Sequence, residues 1–456
     1  MSIRRTASFR SVWALRDFPI LTFASAVLFA GILAAQGQDP PGPTDAGPKG
    51  VLRDLDAPGP YRTLRGGEGF RTEIFGMKIE EEPRNRRSVT AWDAGLDAVA
   101  AGITGNEVLP FAALYFYRRP DPDTYFRGVF VGLYNEALFA RSTASSRPFE
   151  AIITFNSYTV PTAQAEVIDG KLQSQEELIW GHVRPGIGLG IREDLGPSGP
   201  LDRNDNMFAV SLVAEPGYLY FFEGSETAES YRVPQDTFEM QGRLRLRLDL
   251  MERNLFELAH EGWAFGFDLY GGTRVNWEDW GPGAAEQASG GRNFMAFKGF
   301  LSGATGIPGV ASERHRLIGQ LHGGIGHHLD RFSQFHIGGG PSGEEAEALS
   351  YELIPGAAIE EFNSDSFLTA LGEYRWEPIF FAYLSLRTSV TYLSRKRSRD
   401  GGVVWSDDIL PSTGVRLTSG FVFRTQLQVD YNYNFGVIRH GEFGGSEIMV
   451  HLSGEF

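Results

Sequence analysis

Apolar and polar positions alternate with a period of two along much of this chain. Phe238, Met240, Gly242, Leu244, Leu246, Leu248 and Leu250 interleave with Glu239, Gln241, Arg243, Arg245, Arg247 and Asp249. Successive side chains of a strand point to opposite faces, so the segment has one apolar and one charged face, which a helix would scatter. The next segment repeats the pattern. Trp263, Phe265, Phe267, Leu269, Gly271, Thr273, Val275 and Trp277 oppose Asp268, Tyr270, Arg274 and Asn276, with a tryptophan at each end of the apolar face. Leu427, Val429, Tyr431, Tyr433 and Phe435 oppose Gln426, Gln428, Asp430, Asn432 and Asn434 in the same way. Strands of roughly 10–14 residues exceed the usual length in soluble sheets and match a tilted bilayer crossing. Because a sheet in lipid can leave no edge unpaired, the pattern predicts an all-β fold, a closed transmembrane antiparallel β-barrel.

Turn signals alternate between short and long. Short connections are expected at Arg184-Pro185, Glu215-Pro216-Gly217, Glu377-Pro378 and Arg424-Thr425. Long polar ones are expected over 194–205, 224–236, 278–293, 329–366, 394–412 and 437–445. The count from Val108 to Phe456 is about sixteen strands, an even number that returns both barrel ends to one side of the membrane.

Upstream, Arg4, Arg5, Arg10 and Arg16 precede the apolar run Phe18–Ala35, so residues 1–35 read as a signal peptide, with an uncleaved anchor as the alternative. Residues 36–61 read as a Pro/Gly-rich linker, and 62–107 as a short periplasmic or plug-like segment before a barrel over 108–456. Composition narrows the picture. The chain holds 34 Phe, 16 Tyr, 8 Trp and 56 Gly, which suits strands and turns, and it has no Cys, which excludes a disulfide framework and thiolate metal sites. A formal charge of −15 argues against a nucleic-acid partner.

Motifs of catalysis are missing from the pattern: no nucleophile elbow, zinc helix or phosphate loop stands in a suitable context, so neither enzymatic activity nor a cofactor is expected. His322 and His328 would share a strand face but sit too far apart to hold one ion. The row Arg243, Arg245 and Arg247 must face the lumen, because an outward Arg would cost about 2–4 kcal/mol at the bilayer midplane. It either draws anions inward or pairs with wall acids such as Asp268 and Glu373.

The last strand, with Ile448, Val450, Leu452, Gly454 and the terminal Phe456 on one face, resembles the assembly signal of outer-membrane barrels. That resemblance implies the barrel assembly machinery as a partner during biogenesis, and location in the bacterial outer membrane among its lipids. The last third further resembles the bacterial surface-antigen superfamily that includes BamA, TamA and the two-partner secretion transporters, in a barrel-only form without POTRA domains. Phe335-His-Ile-Gly-Gly-Gly-Pro-Ser-Gly343, running into Leu353-Ile-Pro-Gly-Ala357, is similar to that family's sixth external loop, which folds back into the lumen. Leu371-Gly-Glu-Tyr-Arg-Trp-Glu-Pro378 is similar to its strand with an inward Glu, and Gly414–Leu417 with Leu427–Tyr431 to its last hairpins.

The resemblance implies that Gly338, Gly339, Gly340, Pro341 and Gly343 form a lumen loop. Glu373 would face it from the wall, with backbone amides of the loop or Arg375 or Arg247 replacing the family's missing loop-tip Arg. The implied work is insertion or translocation of protein or lipid cargo. The alternative is a passive porin for small, anionic solutes.

Overall fold

The computed structural model describes residues 52–455 apart from Phe75, 101–106, Pro122, 144–148, 160–162, 196–206, 283–288, 342–352, 400–401 and 421–424. The expected signal peptide, most of the expected linker and Phe456 lie outside the described residues. Among the described residues sixteen strands close into one barrel. They are β1 (Ser88–Ala100), β2 (Glu107–Asp121), β3 (Thr124–Phe130), β4 (Tyr134–Ser142), β5 (Phe149–Thr159), β6 (Leu178–Asp194), β7 (Met207–Glu223), β8 (Thr237–Arg253), β9 (Ala259–Arg274), β10 (Asn293–Gly306), β11 (His315–His327), β12 (Ser366–Ile379), β13 (Ala382–Arg399), β14 (Gly402–Ser419), β15 (Thr425–Arg439) and β16 (Glu442–Glu455). The ring closes where β16 pairs antiparallel with β1, from Ser446 against Ala100 to Glu455 against Ala91.

The barrel begins at Ser88, upstream of the expected Val108. Ala91, Ala94, Gly95 and Ala98 are too small to display the alternation, although Leu96 points outward and Asp97 is buried inside. Two expected short turns are corrected as well. Pro185 and Pro216 lie within β6 and β7, where the pairing runs from Val183 against Tyr218 to Ile187 against Ala214 and skips the residues between. That register sets the two prolines opposite each other. Each lacks a backbone N–H, so both missing donors fall in a single gap of the ladder. The long loops expected over 394–412 and 437–445 are corrected too: residues 394–399, 402–412, 437–439 and 442–445 are strand. β13 and β14 stay paired out to Arg399 against Gly402, and β15 and β16 to Arg439 against Glu442. Charged residues at the strand tips had the composition of loops.

Outward positions form the expected apolar surface: Ile187 is 70% exposed, Phe238 66% and Ile409 65%. Trp277 is the exception. β9 stops at Arg274, Asn276 takes a left-handed φ of 55°, and Trp277 turns inward to 3% exposure. Leu246 shares the outward face of β8 with Phe238 and Met240, so Leu246→Arg should destabilise the barrel by about 2–4 kcal/mol and Leu246→Ala by clearly less. Urea unfolding in lipid vesicles measures both. Equal losses would remove the lipid from this face.

Residues 52–87 form no part of the wall. A three-stranded sheet, Leu52–Asp54, Gly69–Ile74 and Met77–Glu81, packs Leu64 and Phe70 on Leu255, Phe256 and Phe380 of the β8–β9 and β12–β13 connections. Arg84 donates to the Leu255 carbonyl at 2.8 Å and Arg86 pairs with Glu257 of the β8–β9 connection, while the Arg87 carbonyl accepts from Arg119 N of β2 at 2.8 Å. β1 and β9 are eight places apart in a ring of sixteen. Neighbouring residues therefore touch opposite sides of the barrel, and the segment lies across its mouth at the end where β1 starts.

Candidate functional site: a glycine loop in the lumen

The described parts of the long connection between β11 and β12, residues 328–341 and 353–365, fold into the barrel. Phe335–Ile337 pairs with Phe362–Ser364, and beyond this short ladder Gly338 bridges Leu353 and Gly339 bridges Ile359. Phe335, Ile337, Ile354, Ala357 and Phe362 bury themselves against wall residues that include Phe367, Leu393, Leu410 and Val437. This apolar cluster holds the loop by desolvation. Glycine is required where the backbone meets the wall. A Cβ on Gly339 would lie 2.1 Å from the Ala357 carbonyl and 2.6 Å from Glu447 Oε1, and Gly356 has a φ of +84° and a position where an added Cβ would lie 2.7 Å from Asn434 N.

The polar anchor is Glu447, on the inward face of β16. Its carboxyl group accepts from Gly356 N at 2.8 Å, Gly340 N at 3.3 Å and Asn432 Nδ2 at 3.0 Å. Asn434 Nδ2 donates to the Pro355 carbonyl at 3.0 Å, and Arg439 pairs with Glu361. The loop is thus fastened to β15 and to β16, which closes the ring against β1. Asp97, on β1, faces the same interior one diagonal step from Glu447, since Glu447 pairs with Val99 and Met449 with Asp97.

This placement corrects one expectation. Glu373 does not meet the glycines. Arg375 holds it at 2.8 Å, Ser385 donates to it at 2.8 Å, and Arg387 lies 3.7 Å away. Of the partners expected for Glu373, Arg375 is the one that holds it, and the loop amides serve Glu447 instead. Gly338 packs under the Ala358 carbonyl, Pro341 is exposed, and Gly343 lies outside the described residues.

The arginine row faces inward and is matched by acids. Arg243 pairs with Glu215 at 3.1 Å, Arg245 with Asp268 at 3.1 Å and Glu136 at 3.4 Å, and Arg247 with Asp268 at 3.0 Å. Arg274 is fully buried between Glu239, at 2.9 Å, and Asp330 of the lumen loop. Neutralised guanidinium groups lose most of their long-range pull on anions. Ile448, Val450 and Leu452 point outward. Among the described residues no group of three or more His, Asp or Glu side chains is placed to bind a metal ion.

Sequence reasoning missed Glu447 because the terminal strand was read from Ile448 onward. Extending its alternation one residue upstream puts an acid on the inward face beside Met449 and His451.

No protein-family profile matches the chain, and no curated protein does. Solved structures do resemble it. BamA from Haemophilus ducreyi lacking POTRA domains 1–3 aligns at TM-score 0.49 and 9% identity, over 90% of this chain and 86% of that one. CdiB from Escherichia coli aligns at 0.45 and 9%, over 90% and 77%, and CdiB from Acinetobacter baumannii at 0.44 and 9%, over 89% and 74%. At this identity and these TM-scores, the likenesses carry no functional weight.

Proposed function

We propose that this chain is an outer-membrane barrel of the surface-antigen superfamily that inserts or translocates protein or lipid, and that it is not an open porin. The supporting observation is the lumen loop, seated by its glycines on Glu447 of the closing strand. A porin needs a continuous water path. Here one mouth is crossed by residues 61–87, the interior holds residues 335–341 and 353–364, and the arginine row that would favour anions is paired with wall acids. Such a barrel can work on cargo only by rearranging, which fits a machine that opens briefly better than a sieve.

Two measurements test this reading. Reconstituted in planar bilayers, the protein should stay near baseline with brief openings, and a steady large conductance would restore the porin alternative. In liposomes, it should accelerate the assembly of an unfolded outer-membrane barrel or the transfer of lipid between leaflets. A normally folded protein that accelerates neither would overturn the cargo reading.

A further inference from the structure

Residues 164–177, between β5 and β6, cross the second mouth. They form a small hairpin, with Val167–Ile168 paired to Lys171–Leu172 around Asp169 and Gly170. Both turn residues have positive φ, 52° and 69°, which is the two-residue hairpin turn that an Asp-Gly pair favours. The base of the hairpin is tied to its own strand, where Gln164 bridges Leu178. Its tip reaches the opposite side of the ring, because β5 and β13 are eight places apart. There Asp169 accepts from Ser398 N at 2.8 Å and pairs with Arg397, Glu166 pairs with Lys396 at 2.9 Å, and Gly170 sits so close to the Ile438 carbonyl that a Cβ would lie 2.1 Å from it.

Beneath this hairpin runs the lumen loop, which is tied up into it. Asn363 donates to Glu166 at 3.1 Å, and Arg331 donates to the carbonyls of Gln164 and Glu176 at 2.5 and 2.6 Å. Tyr158, just before the connection, donates to Glu360 at 2.8 Å. The loop therefore cannot leave through this mouth while the hairpin spans it.

We propose that residues 164–177 are a strap whose charged tip controls release of the lumen loop. The two fastenings differ in kind. The loop is held mainly by buried apolar packing, whereas the tip of the strap is held by rim ion pairs. In these, Arg397 retains 24%, Lys396 21% and Asp169 20% of its side-chain exposure, while Glu166 retains 6%. Ion pairs with partners partly open to solvent are screened by salt, and buried apolar packing is not. Release is therefore ordered: the strap detaches first, under ionic conditions that leave the loop's own packing intact. The Arg-Lys-Arg run at 395–397 is then a receptor for the strap's carboxylates, with Asp408 holding Arg395 at 2.6 Å and Arg397 at 2.7 Å in position. This inference rests on where the strap and loop lie, and stands whether or not the cargo reading holds.

The absence of cysteine makes the test direct. In an Ala358→Cys variant the thiol lies on the buried lumen loop, and a membrane-impermeant maleimide should label it slowly in 0.05 M NaCl. Raising NaCl to 1 M should speed labelling severalfold. Adding Asp169→Asn and Lys396→Met should give the fast rate at low salt and abolish the salt dependence. Asn tolerates the left-handed turn, and heat-modifiable migration on gels confirms a folded barrel. Labelling insensitive to salt in the parent, or a folded double variant as slow as the parent, would overturn the strap.

Discussion

Replacing Glu447 with alanine should free the lumen loop from the closing strand and turn a quiet barrel into one with frequent openings. The side chain is almost fully buried and takes three donors, Gly356 N, Gly340 N and Asn432 Nδ2. Removing it leaves those donors without their acceptor in a site that water does not reach freely. Each buried unsatisfied group costs about 1–3 kcal/mol. Even with partial relaxation the loop's hold weakens by a few kcal/mol, roughly tenfold or more in open population for every ~1.4 kcal/mol. Glu447→Gln keeps one acceptor oxygen and should fall between the two. Single-channel recording gives the open fraction, and limited proteolysis between Phe335 and Phe362 gives loop exposure. An alanine variant as silent and as protected as the parent would show that apolar packing alone seats the loop.

The barrel was legible in the sequence because its outer face obeys a simple rule. Each lipid-facing position is apolar and its neighbours are not, so residues 238–250 disclosed both strand and direction without any knowledge of partners. Where that rule weakens, so did the reading. β1 interrupts its alternation with Ala91, Ala94, Gly95, Ala98 and Ala100, and its residues read as part of the preceding segment. The prolines at 185 and 216 looked like turns because a local signal does not say that another proline stands opposite. At the strand tips both faces are polar, so Ser394–Arg399 has the composition of a loop although it is paired strand.

The lumen was harder to read. That the Gly-rich stretch from Phe335 folds inward followed from its resemblance to a known loop, but the resemblance supplied the wrong acid. Pairing inside a closed barrel is set by which strands face each other across the interior, and alternation along one strand carries no information about that. Glu373 has an arginine two residues away on its own strand, whereas Glu447 has no such neighbour and is left for the loop's amides. The Asp169-Gly170 turn is the opposite case. Its hairpin signal is local and could have been read from sequence, yet its target, across the mouth on β13, could not.

Arg274 should be the most damaging single position in the polar interior. Its guanidinium is fully buried and joins Glu239 of β8 to Asp330 at the start of the lumen loop, with the rings of Trp277 and Phe294 at 4.7 and 5.0 Å. Arg274→Met keeps much of the apolar stem and the fit against those rings, but strips the shared cation from two buried carboxylates. Glu239 retains Arg184, at 2.9 Å, while the Asp330 carboxylate keeps hydrogen bonds from Ser333 Oγ at 2.8 Å and from the Phe332 backbone amide at 3.2 Å. Breaking one partner out of a buried ion pair typically costs about 3–5 kcal/mol, because the remaining charge stays desolvated. The expected result is a barrel that assembles in lower yield, unfolds at lower urea, and has a loop loosened at its Asp330 end. Adding Asp330→Asn removes the orphaned charge and should recover a substantial part of the loss. Urea titrations of the two variants in lipid vesicles decide the matter. If Asp330→Asn brings no recovery, the cost of Arg274→Met comes from lost packing on Trp277 and Phe294, and the arginine is not the electrostatic link between wall and loop.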